Sequence, residues 1–204
     1  MSRYIGPRVK KMRALGLDLP GLSRKTMQKR PFPPGQHGQR RRGRRSDYGT
    51  QLIEKQKLRY NYGLGERQLR RLMKEARRSK AATGDKLAEL IERRLDNVLF
   101  RAGFAPTIPA ARQLVNHSHF IVNGKKVNIP SFRVKVGDEI SLRERSRELK
   151  VIEASIGQPQ LSVPDWMEID STRRVARVRA LPTPDSIPFE VDLQAVVEYY
   201  SKRM

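Results

Sequence analysis

Apolar residues recur three or four apart at Leu87, Leu90, Ile91, Leu95, Val98 and Ala102, the spacing of an amphipathic helix. Arg93, Arg94 and Arg101 fall on its polar positions, which predicts a cationic outer face. A second helical pattern runs from Thr107 to Asn116, opened by a capping-type Thr107 and by Pro109 in the first turn, where a missing N–H costs nothing. Ala111, Leu114 and Val115 can face a core there, while Arg112, Gln113 and Asn116 face outward. Two β-prone runs then span Phe120 to Val127, joined by Asn123-Gly124, a dipeptide that accepts positive φ at both central positions of a type I′ turn. The far side of this hairpin delivers Lys125 and Lys126. Arg133 and Lys135 follow, and a turn at Gly137-Asp138 leads into a strand from Glu139 to Leu142.

Residues 66 to 80 carry a second kind of helix. At about 100° per residue, Leu69, Leu72, Met73 and Ala76 fall within one arc, and Arg67, Arg70, Arg71, Lys74, Arg77 and Arg78 fall on the other. One face can pack on a core while six cations meet a phosphate backbone. Only Glu66 and Glu75 interrupt the basic run. Near the C-terminus, Trp166 to Asp170 and Arg174 to Arg179 read as two strands around Ser171-Thr172, followed by loops broken at Pro182, Pro184 and Pro188. A last helix after Asp192 has Leu193, Val196, Val197 and Tyr200 at three- and four-residue spacing, so it should dock on something.

Charge sharpens this picture. The 204 residues carry a formal net charge of +22, which points to a polyanionic partner, nucleic acid before any other. The first 45 residues contain 14 Lys or Arg against one acid; residues 46–90 and 91–145 are each +5, and residues 146–204 are −1. That first segment has Gly and Pro punctuation, a run Arg40-Arg41-Arg42-Gly43-Arg44-Arg45 and almost no apolar periodicity, so it is expected to be a basic arm ordered by its partner. Lysines and arginines in such an arm neutralise phosphates with little sequence information. No basic start is followed by an apolar stretch and no long apolar run occurs, so neither a signal peptide nor a membrane segment is expected. With no cysteine, and only His37, His117 and His119 as histidines, no metal and no other cofactor is expected.

The runs Arg94-Leu-Asp-Asn-Val-Leu-Phe-Arg-Ala-Gly-Phe104, Ala111-Arg-Gln-Leu-Val115 and Phe120-Ile-Val-Asn-Gly-Lys-Lys-Val127 resemble the small RNA-binding module named after ribosomal protein four of the small subunit. The opening Met1-Ser-Arg-Tyr-Ile-Gly-Pro7, the run Pro31-Phe-Pro-Pro-Gly-Gln-His-Gly38 and the segment Glu54 to Leu69 are similar to the rest of that family in its bacterial or organellar, cysteine-free form. The likeness spans essentially the whole chain. It implies an α+β protein: a basic N-terminal arm (1–45), a helical domain (46–90) completed by a C-terminal helix (about 190–204), an α-α-β-hairpin RNA-binding module with the alpha-L motif (91–155), and a hairpin with loops (156–190). It further implies a structural protein of the small ribosomal subunit, in the cytoplasm or an organelle, that binds small-subunit ribosomal RNA directly and nucleates folding of the body of the subunit. Ribosomal proteins five and twelve, with which it would affect decoding accuracy, and messenger RNA where it enters the subunit are the other implied partners.

Candidate RNA contacts are Arg40, Arg41, Arg42, Arg44 and Arg45 of the arm and Arg67, Arg70, Arg71, Lys74, Arg77 and Arg78 of the basic helix. In the module they are Arg93, Arg94, Arg101, Arg112, Gln113, His117, Lys125 and Lys126, with Arg94 and Arg112 foremost because arginine forks suit phosphate geometry, the alternative for these two being a structural contact to Asp96 or a helix end. Few aromatic residues occur and no strand carries a stacking platform, so shape and phosphates rather than base sequence should be read. An enzyme is not expected. Arg94-Leu95-Asp96 matches the short motif that pseudouridine synthases use, but Asp96 lies inside the module's own helix and no catalytic domain remains. No Walker-type phosphate loop occurs, and His117 and His119 have no Ser or Cys nucleophile in a recognisable elbow. Two other readings stay open at this point: an RNA-binding translational regulator or ribosome-associated factor using the same module, and a general DNA compactor.

Overall fold

The computed structural model describes residues 4–39, 43, 45–170, 172 and 174–201. In chain order its helices and strands are α1 (Arg8–Leu15), α2 (Asp47–Asn61), α3 (Glu66–Arg77), α4 (Thr83–Glu92), α5 (Leu95–Arg101), α6 (Ile108–Asn116), β1 (Phe120–Val122), β2 (Lys125–Lys126), β3 (Glu139–Leu142), α7 (Lys150–Gly157), β4 (Met167–Asp170), β5 (Val175–Val178) and α8 (Leu193–Ser201). They form two compact units, Met1–Leu87 with Phe189–Met204, and Ala88–Pro188.

The first unit is helical and uses both ends of the chain. Helix α8 buries Ala195, Val196, Tyr199 and Tyr200, and polar side chains fix how it meets α2 and α3. Gln51 donates to Glu198 at 2.9 Å, the Asp192 N–H donates to Glu54 at 2.9 Å, and the Tyr200 hydroxyl donates to Glu66 at 2.8 Å. Lys55 is 3 % exposed, pairs with Glu66 at 3.0 Å and lies 4.7 Å from the centre of the Tyr199 ring. Burial raises the Glu66 pKa, but hydrogen bonds from Lys55 and Tyr200, with the charges of Lys55 and Arg59, outweigh it and hold the carboxyl below its usual range. Burial and the neighbouring Glu66 push the Tyr200 hydroxyl far above the usual phenol range.

A pH dependence follows. Glu66 ionises more readily in the folded chain than in the unfolded one, so its contribution is complete above the ordinary carboxylate range and is lost as pH falls through its lowered folded-state value. Glu66→Gln is expected to flatten that acidic limb of the stability curve, measured by urea unfolding at stepped pH. A variant curve parallel to that of the parent would exclude this role.

The N-terminal segment departs from the expectation of a bare arm. Met12, Leu19 and Leu22 are buried together, with Val9, Leu15, Leu17, Met27, Tyr60 and Phe189 packed against them. Polar groups hold the intervening loop in place of secondary structure. The Asn61 side chain accepts from the Gly21 N–H at 2.9 Å, Asp18 accepts from the Met27 N–H at 2.9 Å, and Arg13 donates to the Phe32 and Pro33 carbonyls at 2.8 and 3.3 Å. This core is small and drawn from loop as much as helix, so period-counting passes over it. The Arg40, Arg41, Arg42 and Arg44 part of the expected arm lies outside the described residues.

The second unit packs α5 and α6 on a five-stranded antiparallel sheet of order β2-β1-β3-β5-β4. The expected Asn-Gly hairpin is present, with φ of 49° at Asn123 and 75° at Gly124 and with Val122 paired to Lys125. Glycine supplies the second of these angles without a Cβ clash. Strand β5 pairs with β3, Ile140 opposite Ala176, and the chain as far as Pro188 falls within this unit. Phe104 and Phe120, with ring centres 6.0 Å apart, join the helices to the sheet.

The single helix expected across Leu87 to Ala102 is two. Arg94 is extended, with φ −73° and ψ 137°, and forms an antiparallel bridge with Arg133. Around it the Leu95 N–H donates to the Phe132 carbonyl at 2.8 Å and the Val134 N–H to the Arg93 carbonyl at 3.0 Å. Ile91 and Leu95 are four apart on either side of the break, so side-chain spacing continues unchanged while the backbone leaves the helix.

Candidate nucleic-acid interface

Helix α3 presents the most complete cationic surface. Leu69, Leu72, Met73 and Ala76 are its buried residues. Arg67, Arg70, Arg71, Lys74, Arg77 and Arg78 are all exposed, as the wheel places them. The helix starts at Gly65, whose N–H donates to the Gln68 side chain at 3.1 Å. Glu66 faces Lys55 and Tyr200, so its charge is engaged away from the basic face.

In the second unit the candidate arginines divide. Asp96 is fully buried and accepts from two of them: Arg94 forks it at 3.1 and 2.8 Å, and Arg112 reaches it at 3.2 and 2.7 Å. The Asn97 N–H donates to the same carboxylate at 3.0 Å. Arg94 is 5 % exposed and Arg101 7 %, so neither forms the outward cationic face that the helical pattern predicts. The break at Arg94 explains the first, because the extended residue turns its side chain back onto the start of α5. Arg101 is buried in the last turn of α5, beside Phe104. Arg93 is half-buried, paired with Glu89 at 2.7 Å and donating to the Val134 carbonyl at 2.9 Å.

The remaining candidates reach the surface. Gln113 and His117 are exposed along and at the end of α6, Lys125 and Lys126 are exposed on β2, and Arg112 is partly exposed while anchored to Asp96. Thr107 caps α6 by accepting from the Ala110 N–H at 3.3 Å, which sets the angle at which these side chains project. His119 lies beside His117, ring centres 6.0 Å apart, with its Nδ1 2.9 Å from the Ser146 hydroxyl. Burial, then the charges of His117 and Arg143, lower its pKa and favour the neutral ring.

Arg45 is exposed as well. Sequence reading passed over other exposed cations of the first unit, Lys10, Arg24, Lys25, Lys29 and Arg30. Their signal was the basic density of the first 45 residues, which marks a region without ranking positions. Among the described residues no three His, Asp or Glu side chains gather as a metal site, and no helix is long and apolar enough to cross a membrane.

A helix pair on a small sheet in one unit and a basic helix in the other, each unit with exposed cations, are the marks of a polyanion-binding protein. Residues 3–92 match the family described as ribosomal protein S4/S9 N-terminal domain, and residues 93–140 match the S4 domain. The chain is 58 % identical over 205 residues to small ribosomal subunit protein uS4 of Methylobacillus flagellatus and 57 % identical over 205 residues to uS4B of Nitrosomonas europaea, each covering 100 % of both chains. It is 48 % identical over 203 residues to uS4c of Cyanophora paradoxa, covering 99 % of this chain and 100 % of that one. The chain belongs to the uS4 family of small ribosomal subunit proteins, whose members are structural rather than catalytic.

Proposed function

We propose that this protein binds small-subunit ribosomal RNA directly, as an early structural constituent of the small ribosomal subunit. The observation that carries the reading is α3, with four apolar side chains buried on one side and six cations exposed on the other. Arg45 in the same unit, and Arg112, Gln113, His117, Lys125 and Lys126 in the other, are further candidate contacts. Buried Arg94 acts through Asp96 to hold Arg112, rather than touching phosphate itself.

Cations spread over two units suit a protein that draws converging RNA helices together against their mutual repulsion. That is the physical requirement for nucleating the body of the subunit. Family membership supports contacts with ribosomal proteins five and twelve that influence decoding accuracy, and with messenger RNA where it enters the subunit. The test is equilibrium binding of the full chain to naked small-subunit ribosomal RNA across a salt series, with excess transfer RNA or duplex DNA as competitor. Tight binding that survives both competitors is expected. Binding that either competitor removes would reduce the protein to a nonspecific polycation.

A further inference from the structure

The end of α5, the end of α7 and the segment leading into β4 enclose a groove of about 270 Å³. Its lining includes Arg101, Phe104, Ile156, Leu161, Val163 and Ile169. Five of these six are apolar, and Val163 is left 46 % exposed. Arg101 is 7 % exposed, and its Nε is buried without a hydrogen-bond partner. The contrast with the start of the same helix is informative: there Arg94 and Arg112 converge on a buried carboxylate. A guanidinium keeps its charge under all ordinary conditions, and a buried charged donor without an acceptor is unfavourable. The lining of the groove therefore holds one cation and no carboxylate to meet it.

The walls decide which acceptor. A phosphodiester comes flanked by sugars and further phosphates, which need polar or cationic surroundings, and here only Arg101 provides any. A carboxylate next to apolar side chains satisfies the cation and the walls together. The volume lies just under the ~300–1,000 Å³ of small-molecule sites, which suits one or two side chains better than a cofactor. The site is also held in place by the backbone. Gly103, at φ 74°, ends α5 with its N–H on the Phe100 carbonyl at 3.0 Å, and the Phe104 N–H returns to the Leu99 carbonyl at 3.0 Å.

We propose that this groove docks an acidic, apolar polypeptide segment, whose Asp or Glu carboxylate accepts from the Arg101 guanidinium while a neighbouring aliphatic or aromatic side chain covers Phe104, Ile156 and Val163. The partner is a protein, and the inference does not rest on the ribosomal RNA reading, since the two surfaces use different side chains.

The test uses the full chain with methyl-labelled Ile, Leu and Val, titrated with acetyl-Leu-Glu-Phe-Leu-amide and with its Gln counterpart. The Glu peptide is expected to move the methyl resonances of Ile156, Leu161, Val163 and Ile169 and to bind roughly tenfold tighter than the Gln peptide. Arg101→Met, which keeps most of the packing volume, is expected to erase that preference, and Arg101→Lys to retain part of it. Equal affinity for the two peptides, or no movement of these methyls at millimolar peptide, would overturn the proposal. So would displacement of the peptide by a short single-stranded RNA or by inorganic phosphate acting on the same methyls, which would return Arg101 to nucleic acid. The Glu-against-Gln comparison on the parent chain stands even if a variant fails to fold.

Discussion

Replacing Asp96 by alanine is expected to cost about 3–5 kcal/mol, because removing one member of a buried ion pair leaves the other charge uncompensated. Asp96 is the shared acceptor for Arg94 and Arg112, and Arg94, at 5 % exposed, cannot turn to water without opening the start of α5. Guanidinium unfolding followed by the fluorescence of Trp166 is a suitable measurement, since this single tryptophan is 5 % exposed and belongs to the same core. Asp96→Asn keeps the shape and one acceptor oxygen and should fall between. The pair as a whole is a different matter: replacing both charged partners of a buried ion pair by packed apolar residues is often neutral. A loss below about 1 kcal/mol for Asp96→Ala, the scale of an exposed pair, would mean that the arginines find solvent and that Arg112 needs no anchor.

The second large effect concerns affinity. Converting Arg67, Arg70, Arg71, Lys74, Arg77 and Arg78 together to glutamine is expected to leave the fold intact, because all six are exposed and glutamine is close to arginine and lysine in helix propensity. Each phosphate contact contributes about 0.9 to the slope of log affinity against log salt, so losing six should flatten that slope by roughly 5. Arg94→Met and Arg101→Met should leave the slope where it was. The measurement is the same salt series on small-subunit ribosomal RNA, with circular dichroism as the check on folding. An unchanged slope in the six-fold variant would remove α3 from the interface.

What could be read beforehand was whatever a single element settles by its own pattern. The α3 wheel, the Asn123-Gly124 turn, the strands β3 to β5 and the amphipathic α8 each depend on residues close in sequence. The turn of Arg94 onto Asp96 depends instead on residues 130–134 pairing with the backbone at the α4–α5 break, and the groove that Arg101 lines is completed by α7 and the approach to β4. Those are long-range facts, and a polar position on a wheel carries no trace of them. The acid in Arg94-Leu95-Asp96 was the local clue: a buried carboxylate two residues from an arginine usually has a structural partner. The N-terminal core escaped for the opposite reason, being made of a few apolar side chains set among many charges.

The helical unit takes its residues from both ends of the chain, whereas the unit from Ala88 to Pro188 is continuous. During synthesis, therefore, the continuous unit can close while the first 87 residues still wait for α8. At about 5–20 residues per second that wait lasts on the order of ten seconds. For that interval the most basic part of the nascent protein has its cations ready while its unit is still unclosed. On the proposed ribosomal RNA reading, order of emergence gives RNA an opportunity to act on the half-built unit as a template.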